Sequence, residues 1–382
     1  MPVILFSNQP WMDFFPEISE EYSVNLENIV LDIETDALGN LYVLSIGNRR
    51  FFVDVFSIEG LKIRSFGDSL MLTAEYTNPL CLRVSERGEI VIVRGWDRLL
   101  ETPVNWVFDS SGKDVLEETH LLKYAEWLSV SPKGTHFTLQ GYIRQDSYIP
   151  FLYNRDFEQI ELEYPIENAV FDIFRGDEVF IATEIRENGR YLVIRKLDSN
   201  EIQMERLLTE AENPIIMQEG KFALIDDALF VLTKVCRSPG VFCYSLDGTL
   251  RWSNEADQDI KVMKPTLTRE HIVTHGAICS KILGISEEPI LDFCDDFMTY
   301  DNRLFMSLDT EPTVWPGIEM LAVSFTLHLP DFELHTTLMT YSNRNLLAPV
   351  QFDGKMTGFR LGTEEYVAFA KDKSVTIYKI IN

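Results

Sequence analysis

The sequence is poor in the residues from which most catalytic and metal centres are built. It has six histidines and five cysteines in 382 residues. Basic residues are also scarce: 34 Lys and Arg face 60 Asp and Glu, giving a formal net charge of −26. A surface of that sign repels nucleic acid and anionic lipid and attracts basic proteins or cations. No stretch approaches the ~18 consecutive apolar residues of a membrane span. Residues 1–8 contain no basic residue and too short an apolar run for a signal peptide. The expectation is a cytoplasmic protein with no membrane and no nucleic-acid partner.

The cysteines, Cys81, Cys236, Cys243, Cys279 and Cys294, are odd in number and scattered. They do not form a disulfide framework, and all five are expected to be free thiols. A tight turn at Pro239-Gly240 would set Cys236 and Cys243 across a hairpin, where directly paired Cβ atoms sit wider apart than a disulfide prefers. Helical patterns are few: residues 19–22 and 207–212 could each form a turn or two.

What the chain does have is a repeat. A polar turn leads into a β-branched or aromatic run at Gly39 before Leu41-Tyr42-Val43-Leu44, at Gly88 before Ile90-Val91-Ile92-Val93, at Gly134 before His136-Phe137-Thr138-Leu139 and at Gly176 before Val179-Phe180-Ile181-Ala182. Looser copies place Asp227, Glu270, Asn302 and Glu364 before similar strands. The intervals between these markers run from 32 to 62 residues, most near the 40–50 of a four-stranded unit. A second turn at 57–60, 110–113, 198–201 and 246–249 completes strand, turn, strand, loop, strand, turn, strand.

This pattern predicts an all-β chain: a single β-propeller of eight, alternatively seven, four-stranded antiparallel blades. The blades fall near 29–70, 80–120, 124–164, 167–208, 217–256, 260–292, 293–342 and 350–382. The last lacks an outer strand, so Val3-Ile4-Leu5-Phe6, within residues 1–10, is expected to complete it and close the ring. The 32-residue interval between Glu270 and Asn302 is what leaves seven blades open.

Three stretches carry a family resemblance. Residues 39–43, 49–53, Gly60 and 64–67 resemble one repeat of NHL-type propellers. Residues 244–252 resemble a blade of PQQ-like propellers, and residues 130–134 resemble the first hairpin of WD-repeat and TolB-like blades. The resemblance implies the propeller fold and a leaning toward protein binding. It implies no catalytic residue, and no Gly-His…Trp-Asp pair of the WD family is present.

No Gly-x-Ser-x-Gly, phosphate loop, dinucleotide fingerprint or zinc signature occurs. No catalytic residue, metal or cofactor is therefore assigned. His271 and His275 share a strand face but stand about 13 Å apart, too far for one metal. His328 and His335 could meet across a hairpin with nothing to complete a site. Cys294-Asp295-Asp296 mixes hard and soft ligands that suit no common metal. Asp32, Glu34 and Asp36 alternate along one strand face and could line a propeller channel, which would suit a metal-dependent hydrolase or lactonase. A solvated strand face is the plainer reading.

A stronger pattern lies in the loops between second and third strands. Five consecutive ones carry arginine in a strongly acidic protein. With their aromatic neighbours they nominate Arg50, Trp96, Arg98, Tyr142, Arg144, Tyr148, Arg190 and Arg237 as a partner-binding face. Trp315, in a Pro/Gly-bounded loop, is expected to join it. Arg, Trp and Tyr are the usual anchors of protein interfaces. These arginines could equally pair with neighbouring acidic loops and tie blades together. The function expected is non-enzymatic protein binding. One alternative is an acidic, immunity-type protein that occupies a basic partner.

Overall fold

A computed structural model describes residues 18–67 (except 49), 76–97, 102–116, 127–160 (except 132, 145, 146 and 157), 172–174, 178–208 (except 200), 221–233 (except 226), 240–255, 260–265, 271–276, 280–284, 289–292, 313–316, 320–328, 334–342, 345–346 and 350–381. These residues are all-β, with no helix among them. Their strands make eight antiparallel sheets: six of four strands, one of five and one of three. The chain divides into two compact units, Met1–Val84 with Asn302–Asn382, and Ser85–Asp301.

In the first unit, Ile29–Thr35, Leu41–Gly47, Arg50–Phe56 and Lys62–Gly67 form one sheet in chain order, the first sheet. The terminal sheet runs Ile18–Asn25, Ser374–Ile380, Glu364–Lys371, Lys355–Leu361. Tyr76–Val84 is a further strand, and a sheet of Thr313–Pro316, Met320–His328, Leu334–Ser342 and Asn345–Leu346 also pairs Val350–Asp353 with its third strand. The second unit holds the hairpin Ile90–Asp97 and Thr102–Asp109, then four four-stranded sheets spanning residues 127–160, 172–207, 221–255 and 260–292.

Six turns are tight because their chemistry is local. They share one device. The residue at the first position (Asp36, Ser57, Ser85, Asp109, Ser131 or Ser245) accepts a backbone hydrogen bond from a glycine three residues on. Gly39, Gly60, Gly88, Gly112, Gly134 and Gly248 all have φ between 65° and 84°, where a side chain would be strained. In five of the six the leading side chain adds a bond of its own: Asp36 Oδ1 accepts from the Leu38 and Asn40 amides at 2.9 Å, and Ser131 Oγ accepts from the Thr135 amide at 3.0 Å. Ser57, Ser85 and Asp109 do the same. Asx and Ser/Thr turns of this kind fix hairpin register.

Three buried apolar clusters, each within one unit, join pairs of sheets. Val30, Ile33, Leu41 and Val43 of the first sheet meet Phe359, Ala368, Val375 and Ile377 of the terminal sheet. Ile90, Ile92 and Val107 meet Phe137 of the following sheet. Val179, Ile181, Leu192 and Ile194 meet Leu229, Val231 and Tyr244. A sheet sandwiched on both faces loses the usual apolar–polar alternation. Leu41 to Ser45 are all buried, as are Glu365 to Ala370. These middle strands read in sequence as unbroken apolar runs for that reason.

Several expectations are corrected. The edge of Ser374–Ile380 is taken by Ile18–Asn25, with Ile18 opposite Ile380 and Asn25 opposite Ser374. Residues 3–6 lie outside the described residues. Residues 19–22 are thus strand rather than helix. Tyr22 and Val24 alternate inward and their backbone groups find partners in the sheet. Leu207 closes the strand Ile202–Leu207, and residues 209–212 lie outside the described residues. Cys243 sits opposite Phe230, because the hairpin apex lies between Thr233 and Gly240 rather than at Pro239-Gly240. Cys243 is a buried free thiol. The strand expected at 304–307 lies outside the described residues.

Candidate functional site

Six of the nominated residues, Arg50, Trp96, Tyr142, Arg144, Tyr148 and Arg190, lie at hairpins joining second to third strands. Arg50 is exposed and opens the third strand of the first sheet opposite Gly47. Asn48 between them adopts φ 50°, the left-handed turn conformation that Asn tolerates. Trp96 pairs in register with Pro103 near the end of its hairpin. Tyr142 stands opposite Tyr148, and Arg144 opposite Ser147, with a bulge between Tyr142 and Arg144. Bulges re-aim side chains at strand ends. Arg190 stands opposite Ile185, one residue beyond the turn at Gly189. Its carbonyl accepts from the Leu208 amide at 2.9 Å. Burial holds its guanidinium below the ordinary arginine value. Arg98 and Arg237 lie outside the described residues.

Trp315 departs from the pattern. It lies within the strand Thr313–Pro316, opposite Ala322, not in a loop. That hairpin joins first to second strand. It therefore lies at the other end of its sheet from the second-to-third connection. Antiparallel order forces this: successive turns alternate between sheet ends.

One arginine of these hairpins shows how it is held. Arg186 donates to Glu184 Oε2 at 2.7 Å and to Glu205 Oε2 at 2.7 Å, and its guanidinium lies 4.5 Å from the Tyr191 ring centroid. Glu184 is 1% exposed and also accepts from Arg195 Nε at 2.6 Å. Burial pushes the Glu184 carboxyl up, but hydrogen bonds from Arg195 and Arg186 outweigh it and hold it below the usual range. Arg186 is thus tied within its own sheet.

The acidic row on the first strand is also spoken for. Asp32 is buried and paired with Lys355, and it accepts from the Leu82 amide at 2.7 Å and the Ile33 amide at 2.7 Å. Burial pushes its carboxyl up, and Lys355 and Arg83 overcome this and lower it. Glu34 lies 3.6 Å from Arg83. Asp36 caps its turn and accepts from Tyr42 Oη at 3.2 Å. Three carboxylates with three sets of partners do not converge on one ion. Among the described residues no group of three or more His, Cys, Asp or Glu is placed to hold a metal. His271 and His275 pair with Gly284 and Ser280, and His335 stands opposite Leu327 rather than His328.

The Asp32–Lys355 and Glu184–Arg195 pairs were not singled out from sequence. Glu184 carries a weak signal, a lone acid inside the apolar run of Val179–Arg186. Lys355 carries none.

No family model matches the chain, and no curated protein matches it. Among solved structures the chain shows similarity to the three that follow. One is a eukaryotic initiation factor, 10% identical over 94% of this chain and 87% of that one, with a TM-score of 0.47. Another is Hsv2 from Kluyvelomyces marxianus, 12% identical over 85% of this chain and 98% of that one, TM-score 0.47. A third is the WD40 domain of SCAP from fission yeast, 10% identical over 96% and 98%, TM-score 0.46. Among the described residues no helix is long and apolar enough to cross a membrane.

Proposed function

We propose that the chain is an eight-bladed β-propeller that binds a protein partner and performs no chemistry of its own. The single observation that carries the reading is positional. Arg50, Trp96, Tyr142, Arg144, Tyr148 and Arg190 all fall at the second-to-third connection of four different sheets. In a propeller, the second-to-third connections of successive blades share one side. Arg98 and Arg237 belong to the same series by sequence. Eight sheets, six of them plain meanders in chain order, support the blade count, and the pairing of Ile18–Asn25 with Ser374–Ile380 supports closure.

Such a collar favours an acidic or carboxylate-bearing partner, since guanidinium binds carboxylate bidentately and aromatic rings add contact area at little entropic cost. The test is quantitative affinity capture from the source lysate with the wild-type chain and with Arg98→Ala/Arg144→Ala. The expected result is one or more proteins held by wild type and depleted at least tenfold with the variant, whose circular dichroism and melting temperature match wild type. Equal recovery with both would overturn the reading.

A further inference from the structure

The opposite end of the first unit carries a second surface of different character. Turns 36–40 and 57–61 join first to second and third to fourth strands of the first sheet, so they share one sheet end. Leu38 and Leu61, at these turns, are 63% and 69% exposed, and Ile63 is 53% exposed. The terminal sheet meets them there. A Cβ built on Gly39 would stand 2.7 Å from Leu361 and 3.3 Å from Ile58, and one on Gly60 would stand 2.7 Å from the Tyr22 ring. Ile381, next to Ile380 at this end, is 39% exposed. Leu361, Ile58 and Tyr22 thus form a half-buried floor beneath exposed apolar side chains. Isolated exposed leucines need no explanation, but a contiguous group does.

The charges around this floor are mainly negative. Glu20, Glu21, Glu59 and Glu364 are exposed. Two of the nearby cations are already engaged, Lys62 with Asp54 and Lys379 with Glu364. The Glu59 charge reaches the Tyr22 hydroxyl, and those of Glu364 and Glu21 reach Tyr366. The acids therefore border the apolar floor itself. An apolar centre rimmed by carboxylates complements a helix with leucine-like residues on one face and lysine or arginine beside them.

We infer that this end of the first and terminal sheets docks a basic amphipathic helix of a protein partner. It is a site separate from the arginine-bearing hairpins. The test uses the full chain and a synthetic Leu/Lys helix of about 18 residues, about 27 Å long, with a scrambled peptide of the same composition, read by fluorescence anisotropy. The helix binds at least tenfold tighter than the scrambled peptide. Leu38→Ser/Leu61→Ser weakens it at least ~tenfold, as expected when two such contacts are lost. Glu21→Gln/Glu59→Gln weakens it and flattens its salt dependence. Leu207→Ser, an exposed leucine of the second unit, changes nothing. Equal affinity for the scrambled peptide would reduce the site to bulk charge and overturn the inference. So would retention of wild-type affinity by the leucine double variant.

Discussion

Replacing Lys355 with methionine tests whether the contact between the first and terminal sheets is electrostatically closed. The substitution keeps the length of the side chain and removes its charge. Asp32, 1% exposed, would keep its two amide donors but lose the cation that offsets its burial. Breaking one side of a buried pair costs about 3–5 kcal/mol, because the remaining charge stays desolvated. Arg83 also stabilises the carboxylate, so the lower bound of about 3 kcal/mol is the better figure. With a urea slope of about 3 kcal/mol/M, the transition reporting on the first unit falls by roughly 1 M. The pH dependence gives an independent check. In wild type the Asp32 carboxyl is held below its ordinary value. Its stabilisation is therefore present above the unfolded-state pKa of about 3.9 and is lost as pH falls through the folded value. In Lys355→Met burial prevails and the carboxyl titrates higher, so the deficit relative to wild type shrinks as the medium is acidified. Asp32→Asn/Lys355→Met costs less than the two single changes added together. A Lys355→Met chain within 0.5 kcal/mol of wild type at pH 7 would refute the reasoning.

Other substitutions read other parts of the structure. Glu184→Gln removes the acid shared by Arg195 and Arg186 and lowers stability by about 2–4 kcal/mol in urea unfolding at pH 7. Gly39→Ala meets both a left-handed φ of 80° and the Leu361 side chain, so thermal melting shows a loss of about 1–2 kcal/mol. Tyr22→Phe deletes a buried hydroxyl that has no hydrogen-bond partner among the described residues. It is neutral or stabilising by up to about 1 kcal/mol, where most buried-tyrosine changes destabilise. A chain retaining Cys243 alone reacts with a thiol reagent at pH 8 only after denaturation, since burial pushes that thiol up to about 11.

The repeat was legible because it rests on local chemistry. Gly39, Gly88 and Gly134 announce turns through the conformation they alone tolerate, and the apolar runs that follow are the sandwiched second strands. The spacing of those turns also anticipated the hairpin positions of Arg50, Arg144 and Arg190. Contacts between distant segments left no such trace. Lys355 lies far from Asp32 in sequence, and nothing in its neighbours Gly354 or Met356 marks it as the mate of a buried acid. The edge strand Ile18–Asn25 hid its nature for a related reason. One face of an outer strand is polar, and a bulge between Glu20 and Tyr22 breaks its alternation. Residues 3–6 read as the better strand on composition, whereas backbone pairing, not hydrophobicity, decides who occupies an edge. Trp315 was misplaced because Pro and Gly on either side suggested a loop, yet its hairpin partner Leu321–Ser324 holds it in a sheet.

The pairing of Ile18–Asn25 with Ser374–Ile380 carries a consequence for how the protein is made. Ile18–Asn25 is synthesised about 350 residues before its partner Ser374–Ile380. At roughly 5–20 residues per second, the ribosome leaves that strand waiting about 20–70 seconds before Ile380 exists. Throughout that interval its hydrogen-bonding groups are open to any other edge in reach, including those of neighbouring nascent chains on the same message. The length of that exposure is set by the order of translation, and a chaperone that shields Ile18–Asn25 would cover it.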